Sequence, residues 1–123
     1  METFPKDVVT LSIDIGGSGL KCALLDAQGE MISERIKIDT PYPCPPLRLI
    51  EALKELTVNL TGFHRMSVGF PGLVRDGRVS NIPSLSKSTL EGEIDPELVA
   101  AWHNFDLGLA IRNAFNVPVR VAN

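Results

Sequence analysis

The stretch Val8–Leu25, VVTLSIDIGGSGLKCALL, decides how the rest of the chain is read. Val8 to Asp14 is a β-branched, apolar run that ends in a carboxylate and meets Gly16-Gly17 at once. Leu20 to Leu25 follows without space for a helix, so the two runs predict a hairpin turning at Gly16–Gly19. Asp26-Ala27-Gln28-Gly29 makes the next turn, and the alternation from Met31 to Ile38 predicts a third strand. Residues 1–7 read as a short leader. Three strands precede any helix.

Beyond them, Pro41-Tyr42-Pro43-Cys44-Pro45-Pro46 is fit for neither helix nor central strand and reads as an extended connector. Leu47 to Leu60, with Pro46 in its first turn, carries Leu49, Ile50, Leu53, Leu56 and Leu60 on one stripe and predicts a helix. Arg65 to Phe70 reads as a buried strand broken by Pro71-Gly72. Leu73-Val74 and Arg78-Val79 flank a hairpin tip at Asp76-Gly77. Ser80 to Glu93 is polar, Ser-rich and aperiodic, and reads as a loop. Asp95 caps a short helical turn through Trp102, and Asp106 caps a helix whose Leu107, Ala110, Ile111, Ala114 and Phe115 share a face. Val117 to Val121 is a last strand. The order β-β-β-α-β-(hairpin)-α-β predicts an α/β fold with a mixed sheet and helices on its faces.

Composition narrows the function. In 123 residues, 44% are hydrophobic and 22% charged, and 12 basic against 15 acidic residues leave a net charge of −3. This is the make-up of one globular domain able to bury its own core. Acidic balance without a basic run argues against nucleic acid as a partner. No apolar run approaches the length of a membrane span, and the first residues lack the order of a signal peptide. Cys22 and Cys44, without CxxC spacing, fit reduced thiols in a cytoplasm.

The sharpest chemistry lies in Asp14-Ile15-Gly16-Gly17-Ser18-Gly19-Leu20-Lys21. Three glycines and a serine in a hairpin turn free backbone N–H groups to converge on an anion, most naturally a phosphate, and a Cβ there would obstruct its approach. Asp14 is placed to hold Mg²⁺ through water. Ser18 adds a hydroxyl, and Lys21 a cation or an anchor. The same residues also make a plain glycine-rich turn with a capping Asp, and pattern alone leaves both readings open. No GxxxxGK[ST] or GxGxxG pattern is present. Gly69-Phe70-Pro71-Gly72 exposes bare backbone at a strand end, suited to a ligand or to tight packing. Ser84, Ser86, Lys87 and Ser88, in the polar run from Asn81 to Thr89, suit sugar hydroxyls; the plainer reading is a solvated loop. His64 and His103 lack metal-ligand spacing, and Trp102 reads as core.

Together these motifs resemble the N-terminal lobe of the ROK sugar kinases, and among them the polyphosphate/ATP glucokinases, over essentially the whole chain. DIGGSGLK (Asp14–Lys21) looks like that family's phosphate motif, with Ser18 where Thr is commoner. GFPGLV (Gly69–Val74) looks like its second signature, and the run from Trp102 to Asn123 looks like the approach to its Asn-Asp pair. The resemblance implies a ribonuclease-H-like, actin/hexokinase-type fold. It implies phosphoryl transfer from ATP or polyphosphate, with Mg²⁺, to a sugar hydroxyl, the 6-OH of glucose being expected. Phosphate then falls to Asp14, Gly16, Gly17, Ser18, Gly19 and Lys21, and the metal to Asp14. The sugar falls to Pro71, Gly72, Ser84, Lys87 and Asn123. Ser84 stands where the family has an Asn, which exchanges an amide for a hydroxyl. The family's catalytic Asp would follow Asn123, so the second lobe and the base lie outside this chain, and these 123 residues alone are expected not to phosphorylate sugar. A homodimer is implied for the whole protein. Alternatives are a regulatory sugar-binding lobe, a split-gene remnant, or a kinase with mannose or N-acetylmannosamine as acceptor. A helix-turn-helix, as the family's repressors carry, has only about seven residues available ahead of the first strand.

Overall fold

A computed structural model describes residues 3–80 and 82–123. Expectations that fall on Met1 and Glu2 of the leader, and on Asn81 at the head of the polar run, lie outside the described residues.

β1 (Thr10–Ile15) and β2 (Gly19–Leu25) form the expected antiparallel hairpin, with Asp14 opposite Lys21 and Ile15 opposite Leu20. β3 (Ile36–Asp39) is shorter than the alternation predicts. The cause is local: the Leu24 N–H donates to the Ser33 hydroxyl at 2.8 Å, so a side chain takes a place in the ladder. Met31 keeps one isolated bridge to Leu25, and Met31 and Ile32 are left half exposed.

α1 (Pro46–Leu56) starts where its proline permits and buries Leu49, Ala52, Leu53 and Leu56. It ends four residues before the predicted limit. Thr57 turns its hydroxyl back on the Leu53 carbonyl at 2.8 Å, and Gly62 leaves helical space at φ +80°. Leu60 still packs on the core from outside the helix. His64 is structural, its Nδ1 accepting the Val9 N–H at 2.9 Å.

β4 (Arg65–Gly69) joins β1 in parallel, and β8 (Val119–Ala122) joins β4 in parallel, giving a five-stranded mixed sheet in the order β3-β2-β1-β4-β8. The expected small hairpin forms and is widened into a second sheet by a third strand that was not anticipated. β5 (Leu73–Arg75) and β6 (Arg78–Ser80) turn through Asp76 and Gly77, both at positive φ, and β6 pairs with β7 (Phe105–Asp106). α2 (Pro96–Trp102) is capped by Asp95, which accepts the Glu97 N–H, and α3 (Leu107–Phe115) by Asp106, which accepts the Leu109 N–H. Both caps are as expected. α1 packs on β2 and β3 and meets α3, which lies along β8.

Trp102 is 1% exposed. Its Nε1 donates to the Cys44 carbonyl at 3.0 Å, and its ring lies 5.6 Å from Phe70 and 5.9 Å from Phe105. The proline-rich connector is thereby tied into the core. Cys22 and Cys44 are free and buried. Burial pushes the Cys44 thiol up to about 11, against a smaller downward pull from Arg48. A thiol raised in the fold stays neutral at physiological pH, and the stability it permits is lost as pH rises from the ordinary thiol range through the folded value. We expect neither cysteine to react with a thiol reagent at pH 8 until denaturant opens the fold. Stoichiometric labelling of the native chain would contradict this packing.

Candidate functional site

Asp14 of β1 lies opposite Gly69 of β4, and Gly69 lies opposite Ala122 of β8. This row sets the first glycine motif, the glycine-proline motif and the closing Val-Ala-Asn at the carboxyl ends of three adjacent parallel strands. Open α/β sheets place their ligands at that edge. The Asp14 carboxylate is exposed and takes part in none of the ion pairs among the described residues. Gly69 lies beside it, and a Cβ there would make only an ordinary contact with Oδ1, at 3.6 Å. Lys21, opposite Asp14, shares with it a hollow of about 320 Å³ beside Ser12, Ala23 and Arg35.

The turn itself is held from behind. The Gly16 N–H donates to the Gly19 carbonyl at 3.0 Å. Thr40 Oγ1 donates to the Gly16 carbonyl at 2.6 Å, the Tyr42 hydroxyl reaches the Gly17 carbonyl, and the Thr40 N–H donates to the Ser18 carbonyl at 3.4 Å. Three successive carbonyls are thus taken by one short segment. The Gly17 and Ser18 N–H groups have no acceptor among the described residues. Unpaired amides of successive residues are donors of the kind that can hold an anion, and Ser18 beside them is exposed. Space around the turn is limited too, which the sequence did not display. A Cβ on Gly16 would meet the Gly19 carbonyl at 3.1 Å, one on Gly17 would meet Ser84 Cβ at 3.0 Å, and one on Gly19 would meet Lys37 Cε at 2.6 Å. Of these three contacts only the one at Gly19 is with the far end of a flexible side chain, which can move aside.

Those contacts bring the Ser84 loop against the phosphate motif. The Tyr42 hydroxyl also lies 3.0 Å from the Ser84 carbonyl, and Ser84 Oγ is buried with no hydrogen-bond partner among the described residues. The described residues from Ile82 to Ser86 are therefore not a solvated loop, whereas Ser88, Thr89, Leu90, Glu91 and Glu93 are exposed as that reading expects. Ile82, Leu85 and Ser86 are buried, and Ser86 Oγ donates to the Ile82 carbonyl at 2.6 Å. Asn123 Nδ2 donates to the Gly72 carbonyl, joining two more expected sugar residues, with Pro71 beside them in sequence. Lys87 is not drawn in: its backbone bridges to Ile94, and its side chain makes no bond to the other candidate residues among the described residues. Thr40 and Tyr42 were missed, the signal being two hydroxyl side chains either side of a proline in a connector.

A hollow of about 760 Å³ lies toward the amino ends of the parallel strands among Thr10, Arg65, Ser67 and Arg120. None of the expected site residues lines it. Arg65 is already engaged there, Nε donating to Thr10 Oγ1 at 2.9 Å and the guanidinium lying 5.1 Å from the Phe4 ring centroid. No helix among the described residues is long and apolar enough to cross a membrane.

Residues 10–123 match the profile of the ROK family. The chain belongs to the ROK family. It is 35% identical over 77 residues to a polyphosphate glucokinase of Mycobacterium tuberculosis, a match that covers 62% of this chain and 29% of that one. It is 38% identical over 71 residues to an N-acetylmannosamine kinase of Escherichia coli, covering 57% and 24%. This ROK chain also superimposes on a ROK family glucokinase from Streptomyces griseus, solved with glucose and AMPPNP, at a TM-score of 0.70 and 20% identity, over 94% of this chain and 33% of that one. The matches span less than a third of the length of these curated relatives. The fold is the ribonuclease-H-like, actin/hexokinase-type α/β fold of ROK sugar kinases, as the motifs implied.

Proposed function

We propose that these residues form the phosphate-side wall of a sugar kinase, the N-terminal lobe of a two-lobe enzyme that moves a phosphoryl group from polyphosphate or ATP to a sugar hydroxyl. The observation that carries this reading is the row Asp14–Gly69–Ala122, which sets three separate motifs at one sheet edge. Likeness to a polyphosphate glucokinase favours polyphosphate as donor and the 6-hydroxyl of glucose as acceptor.

The Gly17 and Ser18 amides and the Ser18 hydroxyl bind the donor's terminal oxygens, and Lys21 adds positive charge beside Asp14. Mg²⁺ keeps most of its waters and needs only one or two carboxylates besides substrate phosphates, and the exposed Asp14 meets that requirement. Mg²⁺ would there offset charge on the transferring group. Gly72 and Asn123, already bonded to each other, form the acceptor's floor, Pro71 fixing the backbone of that turn. Asn123 keeps its side-chain carbonyl for a sugar hydroxyl. Ser84 Oγ, buried without a partner, has a hydrogen bond still to make, an omission that costs about 1–3 kcal/mol. The second wall supplies the base and the closing motion that excludes water.

Calorimetric titration of the chain with tripolyphosphate and Mg²⁺ tests this. We expect binding that needs Mg²⁺ and weakens about tenfold or more in Asp14→Asn, since charge-assisted contacts of this kind contribute about 1.5–3 kcal/mol. We expect no glucose 6-phosphate from the 123 residues alone. Binding indifferent to Asp14 and Mg²⁺ would remove the phosphate reading.

A further inference from the structure

We propose that Tyr42 is a positioning residue of this site, which orients the Ser18 amide toward the donor phosphate and ties the phosphate loop to the Ser84 loop. The first half rests on the phosphate reading above; the second does not. In a trans peptide the carbonyl and the following N–H point in opposite directions. The peptide bonds of the loop are trans, the one cis bond among the described residues being Tyr42-Pro43. Holding the Gly17 carbonyl back on the phenol therefore turns the Ser18 N–H outward. Thr40 does the same one residue earlier, taking the Gly16 carbonyl and turning out the Gly17 N–H.

Tyr42 differs from Thr40 in having a second partner. Its hydroxyl lies 3.0 Å from the Ser84 carbonyl, so two loops separated by more than sixty residues meet at one oxygen. The phenol has a single proton for two acceptors. It can donate to either carbonyl, and a shift in one loop is felt by the other through that choice. Gly17 and Ser84 also touch directly, leaving no room for a side chain between them. The donor wall and the acceptor loop are thereby made one unit, and the hinge is a side chain that belongs to neither.

The test uses the 123-residue chain, Tyr42→Phe and Thr40→Val, with amide exchange followed by NMR and tripolyphosphate with Mg²⁺ as the probe. Gly16 and Ser86 are the reporters, because the Gly16 N–H is bonded to the Gly19 carbonyl and the Ser86 N–H to the Pro83 carbonyl. Tyr42→Phe is expected to speed exchange at both and to weaken tripolyphosphate binding about three- to tenfold, the worth of one hydrogen bond. Thr40→Val is expected to weaken binding while speeding exchange at Gly16 alone. Unchanged exchange at Ser86 in Tyr42→Phe overturns the tie, and unchanged affinity overturns the orienting role. If the wild type binds no tripolyphosphate, the phosphate reading falls and takes the orienting role with it, whereas the exchange pattern still decides the tie. Should Tyr42→Phe fail to fold, the wild type suffices: bound tripolyphosphate must slow exchange at Ser86 as well as at Gly16, and an unmoved Ser86 overturns the tie.

Discussion

Trp102→Ala is expected to lower the free energy of unfolding by about 3–5 kcal/mol, the cost of deleting a large buried aromatic. Domains of this size are stable by only about 5–15 kcal/mol, so the variant sits near the edge of folding. The loss has three parts. The cavity opens between α2, the connector and the small sheet; the ring contacts to Phe70 and Phe105 disappear; and the buried Cys44 carbonyl loses its donor. Trp102→Phe separates them, because it refills most of the volume but still orphans the carbonyl, and about 1–3 kcal/mol is expected from that alone. Urea unfolding followed by circular dichroism reads both variants. An alanine variant with the wild-type midpoint would mean that the connector is held by something other than this indole.

The second large effect distinguishes glycines that look equivalent in the sequence. Gly17→Ala places a Cβ 3.0 Å from Ser84 Cβ, where neither backbone has free space, and we expect about 1–3 kcal/mol of destabilisation from overpacking. Gly19→Ala points its Cβ at Lys37 Cε, the far end of an exposed and flexible side chain that can swing aside. Neither glycine has positive φ, so alanine's stiffer unfolded chain can even favour Gly19→Ala by about 0.4–1 kcal/mol. The ordering is the prediction. Thermal unfolding of the two variants checks it, and a Gly19→Ala loss larger than that of Gly17→Ala would show that the loop packing is misread. In the same variants tripolyphosphate affinity should fall with Gly17→Ala, because moving Ser84 disturbs the Tyr42 contact as well.

Much of the scaffold was legible. The hairpin, the two Asp caps, the proline-started helix and the type of sheet follow from local patterns, and local patterns are what a single sequence displays. The misreadings share a cause, side chains that substitute for backbone or pack from a distance. Ser33 takes a ladder position and shortens β3. Thr57 folds back on Leu53 and ends α1 early. Phe105-Asp106 is too short a strand to carry any periodicity and exists because β6 needed a partner. The site divides in the same way. Asp14 and the glycines announce themselves by type and spacing, whereas Tyr42 stands in a connector among prolines, and only the folded chain puts its hydroxyl between Gly17 and Ser84. The Ser80–Glu93 run looked solvated because its serines outnumber its apolar residues, yet Ile82 and Leu85 are enough to sink its first part into the core, and only the part from Ser88 on stays exposed.

The order of strands in the sheet has a consequence for how such a chain is made. β1 and β2 can pair as soon as both have left the ribosome, and β4 can join β1 once α1 has formed. β4 must then wait for β8, which is synthesised after the whole of the second sheet, α2 and α3. Throughout that interval one edge of a buried, apolar strand stands open, with Met66 and Val68 still without their neighbours Val119 and Val121. An open edge of this kind pairs readily with any other extended chain. The strand that brings Asn123 to Gly72 is thus also the one that covers β4 in the nascent protein, and β8 then takes its place as the edge of the sheet.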